Sequence, residues 1–114
     1  MKQVSTNARK KRNDLNMARA KIFKCLGDPL RLNIICCLKD GEKCVSDMIP
    51  LLKTVQPLIS RHLKILRSCG LVSFRRDKNR KPYRVVDKRI FDIIDMVGTD
   101  LVNSLSKIAE EEFS

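Results

Sequence analysis

What this chain lacks narrows its reading. No apolar run approaches the length of a bilayer span, so no membrane partner is expected. Residues 1–12 are basic and polar with no apolar segment, so they do not read as a secretory signal, and the expected location is cytoplasmic. The five cysteines, at 25, 36, 37, 44 and 69, contain no Cys-x-x-Cys pair, which weakens zinc-finger and thioredoxin-type readings. Their odd number in a reducing compartment argues against structural disulfides. There is one histidine, no nucleophile–base pairing and no phosphate-binding loop, so an enzyme is not expected. No internal repeat is visible.

What is present is cationic and unevenly spread. The net charge is +11 over 114 residues, one domain's worth of chain, with a pI near 9.8. Residues 1–27 hold eight cations against one carboxylate, and residues 53–89 hold twelve against two. Residues 90–114 invert the balance, with one cation against six carboxylates. Such segregation implies one face built for a polyanion. An anionic membrane is disfavoured because the basic middle has no long amphipathic helix with aromatic anchors. The hydrophobic fraction of 43% is enough for a core, but so small a domain buries little surface per residue and gains from an interface.

The pattern predicts a disordered basic tail over 1–8 and a single domain over 9–114. A helix is expected over 9–26, with Leu15, Ala18, Ile22 and Leu26 at helical spacing and Gly27 ending it. Asp28-Pro29 is a helix-start signal, and the 29–39 segment after it is apolar nearly all round, as a central buried helix should be. Ser46 is the expected cap of a short helix over 47–53, with Pro50 disturbing its first turn. Gln56–Ser68 follows, with Ile59, Leu63 and Leu66 on one side and Gln56, Ser60, Lys64 and Arg67 on the other, Arg61 at the edge. That outer stripe carries amide, hydroxyl and cationic groups and no carboxylate, which suits base edges and phosphates in a major groove. Gln56, Ser60 and Arg61 are the candidates for bases, Lys64 and Arg67 for phosphates. His62 is also a candidate DNA contact, although it projects from the inner half of the helix, where a packed or capping role competes.

Gly70 caps this helix, and 71–76 and 83–86 read as two strands joined by a turn-rich, cationic loop. A hairpin directly after a helix-turn-helix is a wing, and Arg75, Arg76, Lys78, Arg80 and Lys81 can reach phosphates or an adjacent minor groove. A last helix is expected over 88–112, capped by Asp87. The apolar faces of the first and last helices exceed what a chain this short can cover, so Leu15, Ile22, Ile94, Val97, Leu101 and Leu105 are candidates for a homodimer interface. The expected fold is mainly α with a small β-hairpin, a winged helix-turn-helix of order α-α-α-α-β-β-α, dimeric through its first and last helices.

The segment Lys24-Cys25-Leu26-Gly27-Asp28-Pro29-Leu30-Arg31-Leu32, the Gln56–Arg67 helix, Gly70-Leu71-Val72 and the 81–87 return strand together resemble the ArsR/SmtB family of winged-helix repressors. The resemblance covers about residues 20–95. It implies a homodimer on a pseudo-palindromic double-stranded DNA operator, released by an inducer. Val55 stands where the family commonly has a capping serine, and Thr54 is the substitute cap. Of the cysteine pair that family metal and arsenic sensors carry at the start of the short helix, only Cys44 remains. Of the family's zinc site on the last helix, Asp87 matches, but Arg89, Asp100 and Asn103 replace the other ligands, so no metal site is assigned. Cys36 matches one thiol of the family's sulfur or oxidant sensors, whose second thiol on the last helix is absent here. No cofactor is required. Cys36, Cys37 and Cys44 are the candidate inducer-sensing residues, for a thiophilic ion such as arsenite or, alternatively, for an oxidant or reactive sulfur species. An inducer-independent architectural DNA-binding protein is a third reading.

Overall fold

A computed structural model describes the backbone of residues 2–114 and the side chains from residue 7 onward. Six helices and one hairpin follow in the order α1 (Lys2–Leu26), α2 (Pro29–Cys37), α3 (Val45–Leu52), α4 (Gln56–Ser68), β1 (Val72–Phe74), β2 (Tyr83–Val85), α5 (Arg89–Met96) and α6 (Thr99–Phe113). The expected start of the first helix at residue 9 is displaced: α1 already begins at Lys2, and residues 7–20 are exposed all round. Met1 and the side chains of residues 2–6 lie outside the described residues.

Leu26-Gly27-Asp28-Pro29 works as a corner. Asp28 caps α2, its carboxylate accepting the Leu30 N–H at 2.8 Å and the Arg31 N–H at 3.1 Å, with Pro29 at the first helical position. Arg31 is the one cation on α2, and it turns back to the end of α1. Its guanidinium donates to the carbonyls of Cys25 at 2.6 Å and Lys24 at 3.4 Å, satisfying orphan acceptors of the last turn. The Gly27 corner is tight, since an added Cβ would meet the Phe23 carbonyl at 3.2 Å and the backbone would have to give by a few tenths of an ångström.

α2, α3 and α4 pack around one core in which Ile34, Ile35, Met48, Ile59, Leu63 and Leu66 are fully buried. Burying each side chain of this kind contributes roughly 1.5–3 kcal/mol. α3 starts two residues earlier than expected. Cys44, not Ser46, is its N-cap, and the Asp47 carboxylate accepts the Cys44 N–H at 2.9 Å. Pro50 therefore falls in the second turn, inside the helix. α3 ends on Lys53 in the left-handed region (φ 52°), which turns the chain into α4 within three residues. Thr54 is not the cap of α4. Val55 holds that position and supplies no side-chain hydrogen bond.

Gly70 (φ 75°) ends α4 as expected, and the Leu71 N–H bonds back to the Leu66 carbonyl at 3.0 Å. β1 and β2 pair antiparallel with Val72 opposite Val85 and Phe74 opposite Tyr83. Lys43 and Tyr83 exchange both backbone hydrogen bonds, at 3.1 and 2.8 Å, so the α2–α3 loop adds a one-residue third strand to the wing.

The single last helix expected over 88–112 is two helices. The chain leaves helical geometry at Val97 (ψ 68°) and is extended at Gly98 (ψ −173°), where α6 begins anew. Glycine is a poor helix residue, and here the break is complete rather than a local weakening. Asp87 supports the first of the two, its carboxylate accepting the Arg89 N–H at 2.9 Å.

Candidate nucleic-acid interface

α4 presents two faces, set by apolar residues recurring at helical spacing. Ile59, Leu63 and Leu66 are buried; Gln56, Arg61, Lys64 and Arg67 are exposed and Ser60 half-exposed. Gln56 Nε2 donates to Ser60 Oγ at 3.3 Å, so the amide and hydroxyl lie one turn apart on the same outer line. His62 belongs to the inner face: only 9% exposed, its Nδ1 lies 3.3 Å from Arg31 Nη1 and 3.9 Å from Asp28 Oδ1. This corrects the sequence expectation of a DNA contact. A ring sequestered against the α2 cap cannot reach a base edge, and it instead ties the recognition-type helix to the Asp28–Arg31 corner.

The wing turns at Asp77–Arg80, whose backbones exchange hydrogen bonds at 3.0 and 2.9 Å, with Lys78 in the left-handed region (φ 58°). Its cations fall into two sets. Arg75 is held by Glu42 at 3.1 Å and Asp77 at 3.5 Å, and Arg80 by Asp47 at 3.6 Å. The Glu42 carboxylate raises the Arg75 guanidinium above its ordinary value. Arg76, Lys78 and Lys81 have no carboxylate partner among the described residues.

Helix and wing meet. A cleft of about 320 Å³ is lined by Gln56 and Ser60 from α4, by Asn79, Arg80 and Lys81 from the wing, and by Cys44 and Ser46 from the start of α3. Sequence reasoning missed a second junction at Phe74. Arg67 from α4 lies 4.4 Å from the centroid of its ring, Lys81 5.3 Å and Arg76 5.8 Å. Cation–π attraction of this kind holds three positive groups beside one another, which their mutual repulsion opposes. The only hint in the sequence is an aromatic residue inside a cationic stretch.

The three candidate sensing thiols are not brought to one place, since Cys44 lines a different cleft from Cys36 and Cys37. Cys36 is exposed and Cys37 half-buried on α2, and both line a groove with Lys39, Asp40, Lys43 and Leu51. Cys37 donates to the Ile34 carbonyl at 3.0 Å, and burial pushes its thiol up. Cys44 is buried at the α3 cap and lines the other cleft. No group of three His, Cys, Asp or Glu side chains suited to a metal ion occurs among the described residues. Among the described residues, no helix is long and apolar enough to cross a membrane.

The candidate interface residues also divide. Leu15, Val97, Leu101 and Leu105 are exposed, as are Met17, Phe23 and Met96, which the sequence reading did not select. Ile22 and Ile94 instead pack partly against the protomer's own core. No residue of α6 is buried.

Comparison with known proteins converges on one family. The profile described as "Bacterial regulatory protein, arsR family" matches residues 28–73, from the α2 cap through β1. An uncharacterized HTH-type transcriptional regulator of Methanocaldococcus jannaschii is 44% identical over 79 residues, which cover 68% of this chain and 89% of that protein. The arsenical resistance operon repressor of Escherichia coli is 42% identical over 66 residues, covering 57% of this chain and 56% of the repressor. The chain thus spans little more than half of that curated relative. Among solved structures, a homodimeric winged helix-turn-helix DNA-binding domain from Mycobacterium bovis superposes with a TM-score of 0.72 at 27% identity, covering 82% of this chain and 90% of that domain. With the buried α2–α3–α4 core, the exposed α4 stripe and the wing beside it, these matches show that the chain belongs to the ArsR family of winged helix-turn-helix transcriptional regulators, DNA-binding proteins rather than enzymes.

Proposed function

We propose that the protein is a homodimeric, sequence-specific repressor that holds a pseudo-palindromic operator and releases it when an inducer binds. The observation that carries this reading is the cleft where the carboxylate-free stripe of α4 meets the tip of the wing. Gln56, Ser60 and Arg61 read base edges. Lys64, Arg67, Arg76, Lys78 and Lys81 neutralise phosphates. Arg75 and Arg80 join them only by giving up their carboxylate partners. Dimerisation through α1 and α6 covers Leu15, Leu101 and Leu105, and a two-fold dimer presents two α4 helices to two half-sites. The inducer is a thiophilic ion such as arsenite acting at Cys36 and Cys37, with Cys44 a further candidate; the arsenical resistance repressor among the relatives supports this class. A protein of this kind works in the cytoplasm, and no cofactor is needed for DNA binding.

The test is an operator-binding titration against random DNA, repeated with arsenite, zinc, copper, persulfide and peroxide. The expected outcome is operator binding at least ~10³-fold tighter than random binding, with arsenite releasing it. Equal affinity for both DNAs under all conditions overturns the repressor reading in favour of an architectural protein.

A further inference from the structure

The half-buried ring of Phe74 lies where α4 meets the wing, and the charge around it has no counter-ion. Phe74 closes β1 opposite Tyr83, their ring centroids 5.3 Å apart and their planes tilted by 51°. Tyr83 exchanges backbone hydrogen bonds with Lys43 on its other side, so the ring stands on a strand pair that is itself braced. Arg67 Cζ, from the last turn of α4, lies over the ring 4.4 Å from its centroid. From the wing, Lys81 Nζ lies at 5.3 Å and Arg76 Cζ at 5.8 Å. All three side chains are exposed, and none has a carboxylate partner among the described residues.

We infer that Phe74 is a positioning residue for DNA binding: its ring gathers Arg67, Arg76 and Lys81 into one seat for the phosphate backbone, so that α4 and the wing grip a duplex in a fixed relation. The inference rests on the reading of α4 and the wing as DNA-facing, and it assigns the ring a part in that grip.

The physical case has three parts. A cation over an aromatic face is attracted by the quadrupole of the ring, which consumes none of its N–H donors. The donors of Arg67, Arg76 and Lys81 therefore stay available to an oxyanion. Arg75 and Arg80 differ, since their nitrogens are already turned to Glu42 at 3.1 Å and Asp47 at 3.6 Å. Next, long cationic side chains lose much rotamer freedom when they are immobilised at an interface, and side chains already gathered on a ring lose less. Last, three like charges around one centroid repel each other, and a phosphate set among them relieves that repulsion. A leucine at position 74 would fill much of the same space and offer no face. Arg67 would then be free to swing away from the wing, and the end of α4 would lose its tie to Lys81.

The test uses the full chain and a labelled duplex of random sequence at low salt, because phosphate contacts carry no sequence information. Phe74→Leu is expected to weaken binding by about 4- to 25-fold, which is about 2- to 5-fold in each wing of a dimer, with circular dichroism and sedimentation unchanged. Phe74→Tyr, which keeps an aromatic face, is expected to bind as the parent does. In an Arg67→Gln background the loss from Phe74→Leu is expected to shrink, because the nearest cation is already gone. Should Phe74→Leu lose its fold, Phe74→Met takes its place in the same comparison. An undiminished loss in the Arg67→Gln background, or a Phe74→Tyr protein as weak as Phe74→Leu, reduces the ring to packing and overturns the inference. Weaker binding by Arg67→Gln and Lys81→Gln with none by Phe74→Leu also overturns it, while leaving the DNA-facing reading intact. Duplex binding that neither Arg67→Gln nor Lys81→Gln weakens defeats that reading itself.

Discussion

Replacing Lys78 by Asn and Lys81 by Gln removes the two lysines at the wing tip that have no carboxylate partner among the described residues. Asn is chosen at position 78 because the backbone there is left-handed (φ 58°), a conformation Asn tolerates better than most residues. Each phosphate neutralised contributes about 0.9 to the slope of log affinity against log salt. With two wings per dimer, four contacts vanish, and the slope should flatten by about 3.6. Between 50 and 200 mM salt, about 0.6 of a decade, the variant should then lose about 150-fold less affinity than the parent. Arg80→Gln should flatten the slope less than Lys81→Gln, because Arg80 is already held by Asp47 at 3.6 Å. Fluorescence anisotropy of a labelled operator over a salt series measures the slope, and Lys107→Gln on the acidic last helix serves as a control that should not change it. A slope unmoved by loss of both lysines would place the wing away from DNA and refute the cleft as the binding face.

Ser60→Ala with Arg61→Ala should weaken operator binding far more than random-DNA binding in the same titration, since these side chains are assigned to bases. Leu101→Glu should yield monomers in sedimentation and abolish operator binding; an active dimer would refute the α1–α6 interface. Met48→Ala, at a fully buried core position, should cost about 2–5 kcal/mol in denaturant unfolding. The Arg89 guanidinium and amide hold the Asp87 carboxyl at about 2, below its ordinary value, so the stabilisation it gives the folded state is present above pH 4 and is lost as pH falls toward 2. Asp87→Asn should therefore melt earlier than the parent at pH 7, with the difference in Tm shrinking across that window.

Local signals carried much of the fold. Asp28-Pro29, the apolar period of Gln56–Ser68 and Gly70 each act within one or two turns of chain, and each element fell where these residues put it. The strands were also legible, though shorter than expected, because Arg75 and Arg76 lie beyond the register that Val72 and Val85 set. Ser46 was the wrong cap because Asp47 accepts the Cys44 N–H, a reciprocal bond that composition alone does not reveal. The break at Gly98 was underestimated because Ile94, Val97 and Leu101 keep helical spacing across it. At the candidate site, the outer stripe of α4 could be read from residue types, but Glu42 beside Arg75, Asp47 beside Arg80 and Arg31 beside His62 each come from a distant part of the sequence.

The break at Val97–Gly98 sets α6 apart from the core of the protomer, to which it contributes no residue. Its 15 residues bury none of their side chains, and an isolated helix of about 12–15 residues is marginal in water. Under the proposed α1–α6 pairing, the helix thus becomes ordered in a bimolecular step, with its structure contingent on meeting a second chain. Dilution should then cost helicity as well as dimers, so circular dichroism and sedimentation should follow one concentration dependence. The abundance of the protein becomes a variable of its structure: under that pairing, a cell holding few copies holds chains whose Thr99–Phe113 segment is not yet folded.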